Sequence, residues 1–254
     1  MTTLVCSLLL VLGAEAFDTE FQAASAAYNS GNYADAVAGY ERLVASGAVN
    51  PAVFYDLGNA YYKSGRIGPA IANYERALAI RPGMVEAEHN LSKVLSETKN
   101  NMAKPLRPAW QQMLLFWDSG LTYSVSRLLA LASWLGLWGL LGLQLVHRVP
   151  NWRTLAVLLL GVAMLSGLSA WCKAHPLLLA VGAEESATVR YGTSDADEER
   201  FELAAGDRVA VDERAGGWLR VRSVDGVRGW VREDQVCLVG PPYTAAPPVA
   251  AQGK

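Results

Sequence analysis

The residues of this chain best suited to nucleophilic or metal chemistry are three cysteines and three histidines, and their spacing supports neither role. Cys6, Cys172 and Cys237 form no CxxC pair, and His89, His147 and His175 are too widely separated for a metal-ligand set. No HExxH helix, Gly-rich phosphate loop or nucleophile elbow is present. Catalysis is therefore not expected, and no cofactor is implied. If Cys6 is lost with a signal peptide, Cys172 and Cys237 can pair in an oxidising compartment; two unpaired, half-buried thiols are the simpler reading. With 22 basic against 24 acidic residues, net charge −2, the chain lacks the electropositive balance of a general nucleic-acid binder. Hydrophobic residues make up 52% and charged residues 18%. No charge falls between Leu128 and Val146, and none between Leu155 and Trp171. The chemistry to look for is binding and membrane anchoring.

The elements that would position a binding surface begin with a repeat. In a unit starting at Pro51, Phe54, Leu57, Gly58 and Tyr61 form one stripe of a first helix, at i, i+3, i+4 and i+7. Gly65 relieves a turn, Ala70, Tyr74 and Ala77 form the facing stripe of a second helix, and Pro82 stops it. Small residues stand where the two axes must approach. Stepping back 34 residues gives Gly31, Ala36 and Tyr40 at the positions of Gly65, Ala70 and Tyr74, behind a degenerate leading helix from Glu20 to Asn29. Stepping forward gives the helix opening at Val85 without a partner. This pattern resembles the tetratricopeptide repeat (TPR), with 17–98 as the array, near the minimum that buries a continuous core.

The resemblance implies a groove lined by positions 2, 5, 9, 12 and 13 of each leading helix. In the complete repeat these are Ala52, Tyr55, Asn59, Tyr62 and Lys63; in the third helix His89 and Lys93 take positions 5 and 9. Some TPR proteins grip a partner's terminal carboxylate with Lys, Asn and Arg there. Asn59 and Lys93 fit that pattern and His89 can stand in, but Phe21 and Ser25 do not fit. A mixed aromatic–polar peptide groove is the better reading, and plain solvated helix positions are the bland one.

Residues 1–16 read as a secretory signal peptide: an apolar run from Leu4 to Leu12 before Ala14-Glu15-Ala16, though without a basic residue ahead of it. The segment 99–127 is a linker, with Lys104, Arg107 and two prolines, that includes the amphipathic stretch Ala109–Asp118. That stretch suits either the bilayer interface or an extra helix packed on the array. The apolar runs of 19 and 17 residues cover roughly 25–29 Å each, so 128–146 and 154–172 are expected as transmembrane helices. Gly136, Gly139 and Gly142 in the first, with Ala163, Gly167 and Ala170 in the second, are candidates for close helix packing. Export of the array would make the loop 147–153, with Arg148 and Arg153, cytoplasmic, and would place everything beyond Lys173 outside.

Residues 177–240 switch to period-2 alternation, as in Phe201-Glu202-Leu203 and Leu219-Arg220-Val221, punctuated by Gly206-Asp207, Gly216-Gly217 and Asp225-Gly226. Five or six short strands in a small barrel are expected. Ala187-Thr188-Val189-Arg190, Gly217-Trp218-Leu219-Arg220-Val221 and Gly229-Trp230-Val231 resemble a bacterial SH3 (SH3b) domain. Trp218 and Trp230 are candidates for stacking on a peptide or wall ligand, against a plainer role packing the barrel. The Pro/Ala-rich tail 241–254 is expected to be disordered.

The fold class read from the sequence is thus a multidomain membrane protein: an all-α TPR helical repeat, a two-helix transmembrane hairpin and a small all-β SH3-like barrel. This order resembles the BatE proteins of the Bacteroides-aerotolerance (Bat) operons. The resemblance implies a non-catalytic partner of membrane-bound von Willebrand factor A proteins and a MoxR-type AAA+ ATPase, in an inner-membrane complex linked to stress tolerance, with both interaction domains periplasmic. The alternative is a wall-binding or sensing protein that reads peptidoglycan through the SH3b domain.

Overall fold

The computed structural model describes residues 2–100, 105, 109–118, 121–147, 149–175, 177–183, 186–241, 243–244 and 246–247. Lys104, Arg107 and Arg148, on which the linker and loop readings partly rest, lie outside them, as does 248–254. The chain forms two compact units, one from Met1–Pro105 with Leu178–Lys254 and one from Leu106–Leu177.

In the first unit five helices run in sequence: α1 (Thr2–Asn29), α2 (Tyr33–Ala45), α3 (Pro51–Lys63), α4 (Ile67–Ile80) and α5 (Val85–Ser96). The first helix is continuous through the expected cleavage point after Ala16. The 34-residue period reappears as identical turn chemistry. Gly31 and Gly65 both take φ +81, a left-handed conformation that costs other residues more. Around them, Asn32 N donates to Ala27 O at 2.9 Å, and Arg66 N donates to Tyr61 O at 2.9 Å. At the start of α3, Asn50 caps the helix by accepting from Ala52 N at 2.9 Å, with Pro51 at the first helical position. Tyr40, Phe54, Leu57, Tyr61, Ala70, Tyr74 and Ala77 are all buried, as the repeat spacing predicts.

Seven antiparallel strands follow: β1 (Leu179–Gly182), β2 (Ala187–Arg190), β3 (Glu199–Leu203), β4 (Arg208–Ala215), β5 (Trp218–Arg222), β6 (Arg228–Arg232) and β7 (Val236–Leu238). They pair in the order β3-β2-β6-β5-β4-β1-β7. Val189, Leu203, Val209, Leu219, Val221 and Val231 form the core of this domain.

The strands that alternation alone does not reveal, β1 and β7, are buried on both faces. Ala180 and Leu238 point into the strand core, while Leu179, Val181, Cys237 and Val239 join the core of the repeats. Double burial explains why Leu179–Val181 and Val236–Val239 read as unbroken apolar runs. The docking partner is α4, whose residues Gly68–Ala77 are all buried. Arg76, 1% exposed, donates from Nε and Nη2 to Leu238 O at 2.9 and 2.7 Å and from Nη1 to Asn73 Oδ1 at 3.1 Å. Beside it, Arg208 Nη1 meets Glu75 Oε1 at 2.9 Å, both buried. The TPR array and the SH3-like domain are therefore one body. Of the tail expected to be disordered, the Tyr243 ring lies tilted against Phe54 with centroids 4.9 Å apart, and Pro247 O accepts from Arg66 Nη2 at 2.6 Å.

The second unit holds α6 (Ala109–Leu114), a single 3-10 turn (Phe116–Asp118), α7 (Tyr123–Val146) and α8 (Trp152–Ala174). Both long helices are long and apolar enough to cross a membrane, at about 34–36 Å each. Leu135, Trp138, Leu145, Val157 and Met164 are exposed along them. The glycines expected at their contact are mostly elsewhere. A side chain at Gly139, Gly142 or Gly167 would meet nothing within 4 Å, and Gly136 alone faces α8, near Leu159. Buried serines take that role: Ser126 and Ser133 on α7, Ser166 and Ser169 on α8. A hydroxyl is small enough for close approach and bonds across the interface, as Ser169 Oγ does to Ser126 Oγ at 2.9 Å. The segment around α6 belongs with these helices, not with the array. Asp118 is 3% exposed, and its Oδ1 accepts from Lys173 Nζ and Ser169 Oγ, each at 2.6 Å.

Candidate functional site

Leading helices α1, α3 and α5 carry the groove positions, while α4 is covered by β1 and β7. Where the sequence suggested free gripping groups, the structure shows a hydrogen-bonded floor. Asn59 Oδ1 accepts from Tyr74 OH at 2.8 Å and from Asn90 Nδ2 at 2.9 Å. Asn90 Nδ2 also reaches Tyr55 OH at 3.2 Å, and the Tyr55 ring tilts against Tyr74 at 6.1 Å. These bonds tie α3, α4 and α5 together and commit Asn59 to the fold.

A second cluster sits further along the same face. Tyr62 OH donates to Glu97 Oε1 at 2.9 Å, and the Lys93 ammonium lies 5.3 Å from the Tyr62 ring centroid. Lys63 and His89 are exposed. The six groove candidates are thus divided: Tyr55 and Asn59 in the floor, Tyr62 and Lys93 in an aromatic–cation pair, Lys63 and His89 in solvent.

One titratable residue of α3 lies between two groove positions, Tyr55 and Asn59, and so belongs to no groove pattern: Asp56. It is partly buried, and desolvation pushes its carboxyl from the ordinary 3.8 up to about 6, with a hydrogen bond from Asn59 pulling the other way. The tyrosine hydroxyls nearby, Tyr28 and Tyr40, are raised by burial, with Asp56 a further cause in each. Because the folded carboxyl titrates above its unfolded value, its stability contribution is complete below about pH 4 and lost as pH rises through about 6. Asp56→Asn is expected to stabilise the fold at pH 7.5 by about 1–2 kcal/mol after solvent screening. Denaturation of both proteins at pH 4.5 and 7.5 checks this; the gain should be largest at the higher pH.

Cys172 and Cys237 are both free and buried. Burial pushes the Cys237 thiol up to about 11, so it is protonated at neutral pH and a poor nucleophile.

On the β domain, Trp218 and Trp230 lie outside the core. Alternation along β5 and β6 buries Leu219, Val221 and Val231 and turns both indoles to the opposite face, where they are half-buried. Trp230 stands opposite Arg220 on β5 and Arg190 on β2, and Trp218 stands opposite Arg232 on β6. The arginines of this face are engaged by acids, Arg220 with Glu213 at 3.4 Å and Arg232 with Asp195 at 3.0 Å.

Comparison with known proteins agrees with both halves of this unit. Residues 21–85 match the family described as tetratricopeptide repeat, and residues 186–236 match the bacterial SH3 domain. No curated protein matches the chain. A helical repeat, two apolar helices and an SH3b-like antiparallel sheet thus make up this chain, an architecture of protein interaction or cell-wall binding.

Proposed function

We propose that the chain is a non-catalytic, membrane-anchored adaptor that assembles an envelope complex through the leading-helix groove of its repeats. The observation that carries this reading is the division of the array's surface. One side is sealed by β1, β7 and Tyr243, whereas Tyr55, Tyr62, Lys63, His89 and Lys93 remain on the other. The packing of the repeats against the β domain in one body also supports a two-pass anchor, because the segments before α7 and after α8 must then lie on the same side of the bilayer. In the BatE-like reading that side is the periplasm of a bacterial inner membrane, and the partners are von Willebrand factor A membrane proteins and a MoxR-type ATPase.

Co-purification from membranes tests it. Those two partners are expected to accompany the wild-type chain and to be lost, or reduced about tenfold or more, with the pair Tyr55→Ala and Tyr62→Ala. Full retention would sink the groove as their binding surface. A second reading rests on the two outward indoles: a wall reader would lose co-sedimentation with purified peptidoglycan on Trp218→Ala while keeping those partners.

A further inference from the structure

Each of the first two leading helices is closed by the helix that follows it, and the 34-residue period sets how. Ala24 on α1 and Gly58 on α3 are equivalent, and both mark a close approach. A β-carbon on Gly39 of α2 would stand 2.8 Å from Ala24 Cβ, and one on Gly58 would stand 2.8 Å from the Tyr74 ring of α4. Glu20 and Phe54 are equivalent too, and each meets a guanidinium. Arg42 Nη2 lies 2.6 Å from Glu20 Oε1, and the Arg76 guanidinium lies 5.8 Å from the Phe54 ring centroid. The following helices thus present one set of residues at i, i+4 and i+6: Ala36, Tyr40 and Arg42 on α2, and Ala70, Tyr74 and Arg76 on α4. On α5 only the receiving half of this arrangement recurs. The same step carries Phe54, Leu57, Gly58 and Tyr61 to Glu88, Leu91, Ser92 and Leu95. Those four line one groove of about 360 Å³, together with Ser96 and with Leu78 of α4. Phe54, Gly58 and Tyr61 are buried, but Glu88 and Ser92 are exposed and Leu95 is half-buried. Leu78 is half-buried as well, although its equivalent Val44 on α2 is buried. The chain's own sequence does not supply the other half. The next step from Ala70, Tyr74 and Arg76 falls on Lys104, Pro108 and Trp110, and a proline at the centre of a helix breaks it.

We propose that this α4–α5 groove takes an amphipathic helix of a different protein, which completes a third repeat by presenting a small, an aromatic and a basic residue at i, i+4 and i+6. The small and aromatic residues cover Leu91, Ser92 and Leu95, and the basic residue answers Glu88 as Arg42 answers Glu20. A second copy of this chain has no such helix to offer, because α2 and α4 are already buried in their own repeats. None of the six lining residues is a position of the leading-helix groove proposed above, so the two surfaces stand or fall separately.

A fluorescent peptide with the sequence of residues 66–81, which carries this pattern, tests the proposal by anisotropy against the full chain in detergent micelles. The peptide is expected to bind, and to bind about tenfold or more weakly with Tyr74→Ala made in the peptide. Ser92→Trp in the chain, which fills the groove with a ring, should weaken it as much. Arg76→Glu made in the peptide should cost about threefold, the range of an exposed ion pair, and Glu88→Arg in the chain should recover that loss. The peptide variants leave the chain unchanged, so they decide the matter even if a chain variant were to lose its fold. No binding, a scrambled peptide that binds as tightly, or binding that survives Ser92→Trp overturns the proposal. An arginine reversal without cost overturns Glu88 as the counter-charge. Self-association of the wild-type chain that Ser92→Trp abolishes overturns the separate partner in favour of a second copy.

Discussion

Lys173→Met is expected to destabilise the helical hairpin by about 3–5 kcal/mol, the cost of stranding a buried carboxylate. Lys173 Nζ donates to Asp118 Oδ1 at 2.6 Å, to Leu121 O at 2.7 Å and to Ser126 Oγ at 3.0 Å. Removing it leaves Asp118, 3% exposed, with Ser169 as the remaining side-chain partner of that oxygen among the described residues. The same bonds hold the 3-10 turn (Phe116–Asp118) against α8, so the segment leading into α7 should come loose as well. The partner substitution discriminates a buried pair from a merely crowded site. Asp118→Leu added to Lys173→Met should recover most of the loss, since an apolar pair of similar volume often replaces a buried ion pair at little cost. Unfolding of the purified protein in mixed micelles measures both. A Lys173→Met protein as stable as wild type would mean that the pair contributes nothing.

Gly68→Ala should separate the β domain from the repeats. A β-carbon at this position would stand 2.1 Å from Gly182 O and 2.8 Å from Ala183 O, both backbone atoms with little room to yield. In an isolated helix alanine is the better residue by roughly 0.8–1 kcal/mol, so the repeats themselves lose nothing. What is lost is docking: the two bonds from Arg76 to Leu238 O and the buried Glu75–Arg208 pair, which together outweigh that gain by several kcal/mol. Cys237, 3% exposed in the docked form, reports the outcome. Its labelling by a thiol reagent under native conditions should rise at least about tenfold, following the population of the opened form. Unchanged labelling would show that α4 and β1 shift together to admit the methyl group.

How far the sequence reached follows from the range of the interactions involved. The helices of the repeats were legible because their signals are local: a stripe at i, i+3, i+4 and i+7, and a glycine at φ +81 after α1 and after α3. Likewise the two membrane-length helices follow from uncharged runs, and β3 and β5 from alternation. The groove was legible only as a set of positions. Asn59 has the right place to grip a ligand, but its carbonyl oxygen is taken by Tyr74 and Asn90, 15 and 31 residues away in the chain. Asp56 offers no sequence signal, because an acid between two groove positions looks the same whether or not a base lies opposite.

What the sequence by itself determined about this protein is its cast of elements, since each is fixed by short-range sterics and by the period of its apolar residues. Tertiary structure alone decided which charges are buried and what they meet. Glu75 and Arg76 belong to no stripe of the repeat pattern, yet both are buried, and their partners Arg208 and Leu238 lie 133 and 162 residues further on. Asp118 closes an amphipathic stretch and Lys173 follows an apolar run, yet they meet across 55 residues of chain. A single sequence records the side chains and not the pairings, and it is the pairing that turns a costly buried charge into a clasp.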